Sequence, residues 1–145
     1  MNITTLLTTI GTTTAGIFLS LCMLHVYWAL GRISASAAVI PLREGKPLFT
    51  PTPAATLLVA LALLVCALLV LGMLGSLRFG LPDWPFRIGV WGVAAAFLLR
   101  AIGDFRYLGF FKTVRDTPFA RNDSWLYSPL CVGIAISCAI LGTVG

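Results

Sequence analysis

Between Ala54 and Leu77 the chain runs without a single charged residue, and no other feature constrains its fold as tightly. A stretch of that length and polarity matches what an α-helix needs to cross bilayer hydrocarbon, roughly 20 residues. Three further apolar runs accompany it. Ile3 to Leu30 holds no Lys, Arg, Asp or Glu, Phe86 to Phe111 carries Arg100 and Asp104 toward its end, and Trp125 to Val144 is free of charge. Hydrocarbon cannot hydrogen-bond exposed N–H and C=O groups, so spanning runs must satisfy them internally, as helices. The sequence is therefore read as all-α, an integral membrane four-helix bundle over 1–145, with transmembrane helices at about 3–30, 54–77, 86–111 and 125–144. Composition agrees: the 145 residues are 59% hydrophobic and 10% charged, and the mean hydropathy of +0.98 lies outside the range of soluble domains.

The first connection, about 32–53, contains Pro41, Gly45, Pro47, Pro51 and Pro53, which forbid a continuous helix. It is expected to lie in the cytoplasm and fold back against the membrane. The second, Arg78 to Pro85, has the turn chemistry of Gly80, Pro82 and Asp83. Basic residues set the orientation. Arg32, Arg43, Lys46, Arg106, Lys112, Arg115 and Arg121 fall in the first and third connections, against Arg78 and Arg87 on the other side. The positive-inside rule then predicts N-out, C-out topology, with the first and third connections in the cytoplasm. With no basic residue before it and no small-residue cleavage box, the first helix is expected to stay in the mature protein.

The net charge of +5 is explained by orientation and anionic headgroups, and no basic run has the length a nucleic-acid patch needs. Cys22, Cys66, Cys131 and Cys138 all lie in apolar runs, without a C-x-x-C pair or a His at zinc spacing. Neither a disulfide framework nor a metal or other cofactor is expected. On the fourth helix, Cys131, Ala135, Cys138 and Gly142 form a small-residue seam suited to close helix contact.

Chemistry concentrates in the few ionisable groups inside the runs. Arg100 and Asp104 are four residues apart, so a continuous helix would place them on one face as an ion pair, with Tyr107 and Phe111 in line. His25 is a little over one turn from the end of the first run, at a depth comparable with Arg100. Its own face includes Gly11, Thr14, Phe18 and Cys22. If the two helices are neighbours, His25, Arg100, Asp104 and Tyr107 make one polar cluster beneath the cytoplasmic surface. Charge within a span is costly and often marks a site, although near the interface Arg100 can snorkel and the group can serve helix packing alone. The Thr-rich opening, Thr4 to Thr14, is expected to back-bond its hydroxyls to carbonyls one turn earlier.

Three segments, HVYWALG (His25 to Gly31), RAIGDFRYLGFFK (Arg100 to Lys112) and FARNDSWLYSPLC (Phe119 to Cys131), carry a family resemblance. In them, and in general pattern over nearly the whole length, the chain resembles the family designated domain of unknown function 3995. The resemblance implies a bacterial four-helix membrane protein and no particular activity.

Three functions compete on these residues. The first is a binding or transport protein for a small anion or lipid headgroup, with Arg100 as cation, Asp104 as its orienter and His25 as proton carrier; guanidinium geometry suits phosphate or carboxylate. The second is an accessory subunit of a larger membrane protein. An enzyme acting on a lipidic substrate ranks last, for want of a nucleophile, metal set or nucleotide motif. Membrane lipids are the expected partners, with a homo-oligomer required if the protein transports.

Overall fold

The computed structural model describes residues 2–32, 38–77 and 80–144; residues 33–37 of the first connection and 78–79 of the second lie outside the described residues, as does the side chain of Arg32. The long helices are α1 (Ile3–Tyr27), α2 (Pro53–Met73), α3 (Trp84–Ile102) and, after the short α4 (Pro118–Asn122), α5 (Ser128–Val144). A π-helical turn, Asp123–Tyr127, joins α4 to α5, so the last span runs from Pro118 to Val144. Four helices among the described residues are long and apolar enough to cross a membrane, and the chain is a multi-pass membrane protein.

The helices α1 and α2 begin where the sequence supplies a cap. Asn2 accepts from the Thr4 amide at 3.4 Å, and the Thr52 hydroxyl accepts from the Ala55 amide at 3.2 Å ahead of Pro53. A side-chain oxygen there satisfies an amide that has no partner within the helix. In the opening turns of α1, Thr8, Thr9, Thr12 and Thr14 donate to carbonyls one turn earlier, the back-bonding expected of Thr in an apolar helix.

α1 packs chiefly against α2, and α3 chiefly against α5; the α2–α3 and α1–α5 contacts close the bundle more loosely. Phe18, Val70, Val90 and Cys138 are fully enclosed at the centre, with Phe18 edge-on to Phe97, ring centroids 5.4 Å apart. Outward, Leu57, Leu58 and Leu61 of α2 and Leu98 and Leu99 of α3 are exposed, as lipid-facing residues are. Cys22, Cys66, Cys131 and Cys138 are free thiols.

In the first connection, strands β1 (Leu42–Arg43) and β2 (Lys46–Pro47) form a minimal hairpin. Its turn residues Glu44 and Gly45 both have positive φ, 52° and 78°, the geometry that matches hairpin twist. The Ala38 carbonyl then accepts from Asn122 Nδ2 at 3.3 Å and Tyr127 Oη at 3.1 Å. The first and third connections therefore meet at one end of the bundle.

Three expected boundaries move: the last span begins at Pro118 rather than Trp125, and two helices end early. The second helix ends at Met73 rather than Leu77. The third ends at Ile102 rather than 111, because Gly103 adopts φ 89° and takes the backbone out of the helix.

Candidate functional site

The early end of α3 changes the company Arg100 keeps. Asp104 does not sit four residues along the same helix; it lies in the loop beyond Gly103. Its Oδ1 accepts from the amides of Arg106, Tyr107 and Leu108 at 2.9, 2.7 and 2.8 Å. That is the short-range turn bonding Asp favours over helix interiors. Slight burial raises the carboxyl pKa, but the three amides outweigh it and hold Asp104 below its ordinary value. Tyr107 belongs to this turn as well, with the Arg106 guanidinium 5.4 Å from its ring centroid. The expected Arg100–Asp104 pair is thus corrected: the loop amides take the carboxylate before any guanidinium can.

The partner of Arg100 is Asp123. Arg100 Nη2 donates to Asp123 Oδ1 at 2.6 Å, and Lys112 Nζ donates to Asp123 Oδ2 at 3.0 Å. The Gly109 amide reaches the same oxygen at 2.8 Å. Lys112 completes its donors with the Gly109 carbonyl and Ser124 Oγ, each at 2.8 Å. Asp123 and Lys112 are buried to 0% and 1% side-chain exposure, while Arg100 keeps 31%. Two cations and one carboxylate therefore meet where α3 ends and the last span begins, and Arg100 Nη1 and Ser128 Oγ are buried without a partner among the described residues.

Local backbone makes this node possible. Gly109 has φ 80°, and a Cβ there would overlap the carbonyl groups of Ile102 and Ala101. Only glycine lets the loop fold back on the end of α3 and aim its amide at Asp123. The π turn does the rest: the Ser128 amide bonds the Asp123 carbonyl, five residues back. The wider turn brings both Asp123 and Ser128 inside, where 3.6-residue periodicity would separate them.

His25 belongs to a different place. Its Nδ1 bonds the Leu21 carbonyl at 2.8 Å, and its ring lies 4.9 Å from that of Trp28. It lines a cavity of about 570 Å³ between the end of α1, the first connection and the start of α2, together with Trp28, Ile40, Phe49, Thr50 and Pro53. No hydrogen bond or ion pair joins His25 to Arg100, Asp104 or Tyr107 among the described residues. The single expected cluster resolves into three: the Asp104 turn, the Asp123 node and the His25 cavity.

Phe18 to Cys138, most of α1 through α5 with both polar centres, matches the model of the family described as protein of unknown function (DUF3995). The chain belongs to that family. No curated protein and no solved structure matches it. The DUF3995 match spans His25, Arg100, Lys112 and Asp123 alike. Sequence reasoning passed over Lys112 as a loop charge and did not single out Asp123. The signal available for them was the glycine pair Gly103 and Gly109, which marks a chain reversal bringing position 112 back to the end of α3.

Proposed function

We propose that the protein binds a small oxyanion, phosphate or carboxylate, at the basic end of a bundle held in the bacterial cytoplasmic membrane with both termini outside. Arg100 is the recognising cation, and Asp123, in the role first given to Asp104, orients it. One observation carries the reading: the Asp123 node holds two cations against one carboxylate, and the Arg100 side chain keeps 31% exposure while its carboxylate partner is fully enclosed. A guanidinium with one edge fixed by a carboxylate presents its remaining N–H groups in a rigid fork, the geometry that phosphate and carboxylate oxygens fit. The surrounding Arg106, Arg115 and Arg121 are exposed and add positive potential at the same end. Binding, rather than carriage across the bilayer, is favoured because Lys112 and Asp123 fill the interior of the node.

The oxyanion has two possible sources, a lipid headgroup or a free anion, and thermal unfolding in detergent separates them. Phosphatidylglycerol is expected to raise Tm, inorganic phosphate to do so less, and Arg100→Gln to abolish both shifts while leaving a folded protein, since only ligands that prefer the native state raise it. A shift from phosphate alone would assign the site to a soluble anion. Equal shifts in parent and Arg100→Gln would overturn the proposal.

A further inference from the structure

We infer that the cavity beside His25 is a second binding site, for a neutral single-chain lipid alcohol whose hydroxyl donates to His25 Nε2. The cavity, about 570 Å³, falls in the size range of small-molecule sites, which are mostly apolar with a few placed polar groups. Trp28, Val39, Ile40 and Phe49 supply apolar wall, and Pro51 and Pro53 stiffen it. Among the described residues its lining includes no Lys, Arg, Asp or Glu.

The polar groups define the headgroup. The Thr52 hydroxyl already accepts from the Ala55 amide, and the Thr56 hydroxyl donates to the Thr52 carbonyl at 3.0 Å. Among the described residues, His25 Nε2, the Thr50 hydroxyl and the Thr52 hydroxyl proton remain to meet a headgroup. A carbonyl oxygen can only accept, so the 2.8 Å contact to the Leu21 carbonyl places the imidazole hydrogen on Nδ1. In the neutral ring that bond leaves Nε2 as a hydrogen-bond acceptor, and the Trp28 ring at 4.9 Å holds the imidazole in place. An acceptor beside a hydroxyl, with no cation among the described lining residues, suits a donor headgroup such as an alcohol. A phosphate or ionised carboxylate would enter an apolar space without a counter-charge, at a cost no lining residue offsets.

The ligand comes from the bilayer. Val59 lines the cavity and is also 45% exposed, and Leu57, Leu58 and Leu61 of the same helix are exposed too. The α2 wall is thus continuous with the lipid-facing surface, so an acyl tail can leave the cavity directly into hydrocarbon while the hydroxyl stays at His25. Monoacylglycerols and long-chain alcohols share this chemistry.

The test is photolabelling of the full-length protein in nanodiscs by a diazirine-bearing monoacylglycerol, with adducts mapped by mass spectrometry. Labelling is expected within residues 49–59, displaced by monooleoylglycerol but not by its doubly O-methylated form or by oleate. His25→Phe, which keeps an aromatic ring and loses the acceptor, should raise the competitor concentration needed about tenfold, the scale of one hydrogen bond to a buried acceptor. Ala55→Trp, filling the space, should abolish displaceable labelling. Should either variant fail to fold, the competitor series on the parent protein decides alone. Equal displacement by the O-methylated lipid, or no displaceable adduct within residues 49–59, would overturn the inference. Its probe is uncharged, so this outcome is independent of phosphatidylglycerol binding at Arg100.

Discussion

Two polar centres lie at the same end of this bundle, and the chain completes them differently. Around Asp123 both carboxylate oxygens are taken, by Arg100, Lys112 and the Gly109 amide. Around His25 one ring nitrogen is satisfied by its own helix, and the remainder of the ring faces a cavity. The contrast follows from charge. A carboxylate and an ammonium buried together are tolerable only if nearly every donor and acceptor is matched, so the charged centre is closed by its own loop. A neutral imidazole makes no such demand and can stand at the wall of an open space. At the Asp123 node the loop encloses the carboxylate and ammonium and leaves only Arg100 part-exposed, whereas part-buried His25 stands at the wall of a cavity.

The sharpest way to break that comparison is Asp123→Ala. It strands the enclosed Lys112 and frees Arg100, and removing one member of a buried ionic group typically costs about 3–5 kcal/mol. Thermal unfolding in detergent should show the largest loss of any single substitution at this end, with much of it recovered in Asp123→Ala/Lys112→Met. A loss below about 1 kcal/mol, the scale of a surface pair, would mean that the node does not hold the loop.

Gly109→Ala should come next. Its φ of 80° and the carbonyls of Ile102 and Ala101 leave no place for a methyl group, and strained backbone of this kind costs on the order of 1–3 kcal/mol. The substitution should lower Tm and raise amide exchange in residues 103–112. His25→Ala, at the open centre, should leave exchange in that loop unchanged, and a matching rise there would erase the distinction between the two centres.

The smallest effect belongs to Asp104. Asp104→Ala removes a side-chain acceptor for three amides at an exposed turn, a loss comparable to that of a helix cap, about 1 kcal/mol. It should add to the effect of Arg100→Gln within about 0.5 kcal/mol, as separate sites do. The pH dependence has a definite sign. Because the folded carboxyl is held below its ordinary value, the contribution is complete above the unfolded pKa of about 3.9 and is lost as pH falls through the lower folded value. The stability difference between parent and Asp104→Ala should therefore be flat from about pH 8 to 5 and vanish in stronger acid. Strong coupling between Arg100 and Asp104 would instead restore the pairing expected from helical spacing.

The four spans were legible because a bilayer imposes one demand on all of them, and Ala54 to Leu77 meets it without exception. The Thr back-bonding and the shared end of the first and third connections followed from local rules. The polar cluster was not legible, for two reasons of backbone geometry. Helical spacing was carried through Gly103, although a glycine followed by aspartate is turn chemistry, and that error created the Arg100–Asp104 pair. The π turn at Asp123–Tyr127 then inserts a five-residue step into the buried face, which no 3.6-residue count reveals. His25 was placed at the correct end of α1, but the choice of neighbour is tertiary: α1 packs mainly on α2, while Arg100 sits where α3 meets the last span.

The separation of Arg100 from its carboxylate has a consequence for how the molecule is made. Asp123 follows Arg100 by 23 residues, so at about 5–20 residues per second of synthesis the guanidinium leaves the ribosome roughly 1–5 s before its partner exists. During that interval the third helix enters the membrane with an uncompensated cation at its trailing end, and water or headgroups must solvate it. Arrival of the last span exchanges that temporary solvation for Asp123, closes Lys112 behind it, and lets Tyr127 and Asn122 reach the Ala38 carbonyl. The final helix thereby acts as a latch, adding its own packing on α1 and the ties to Ala38 to the contact that α2 and α3 already make.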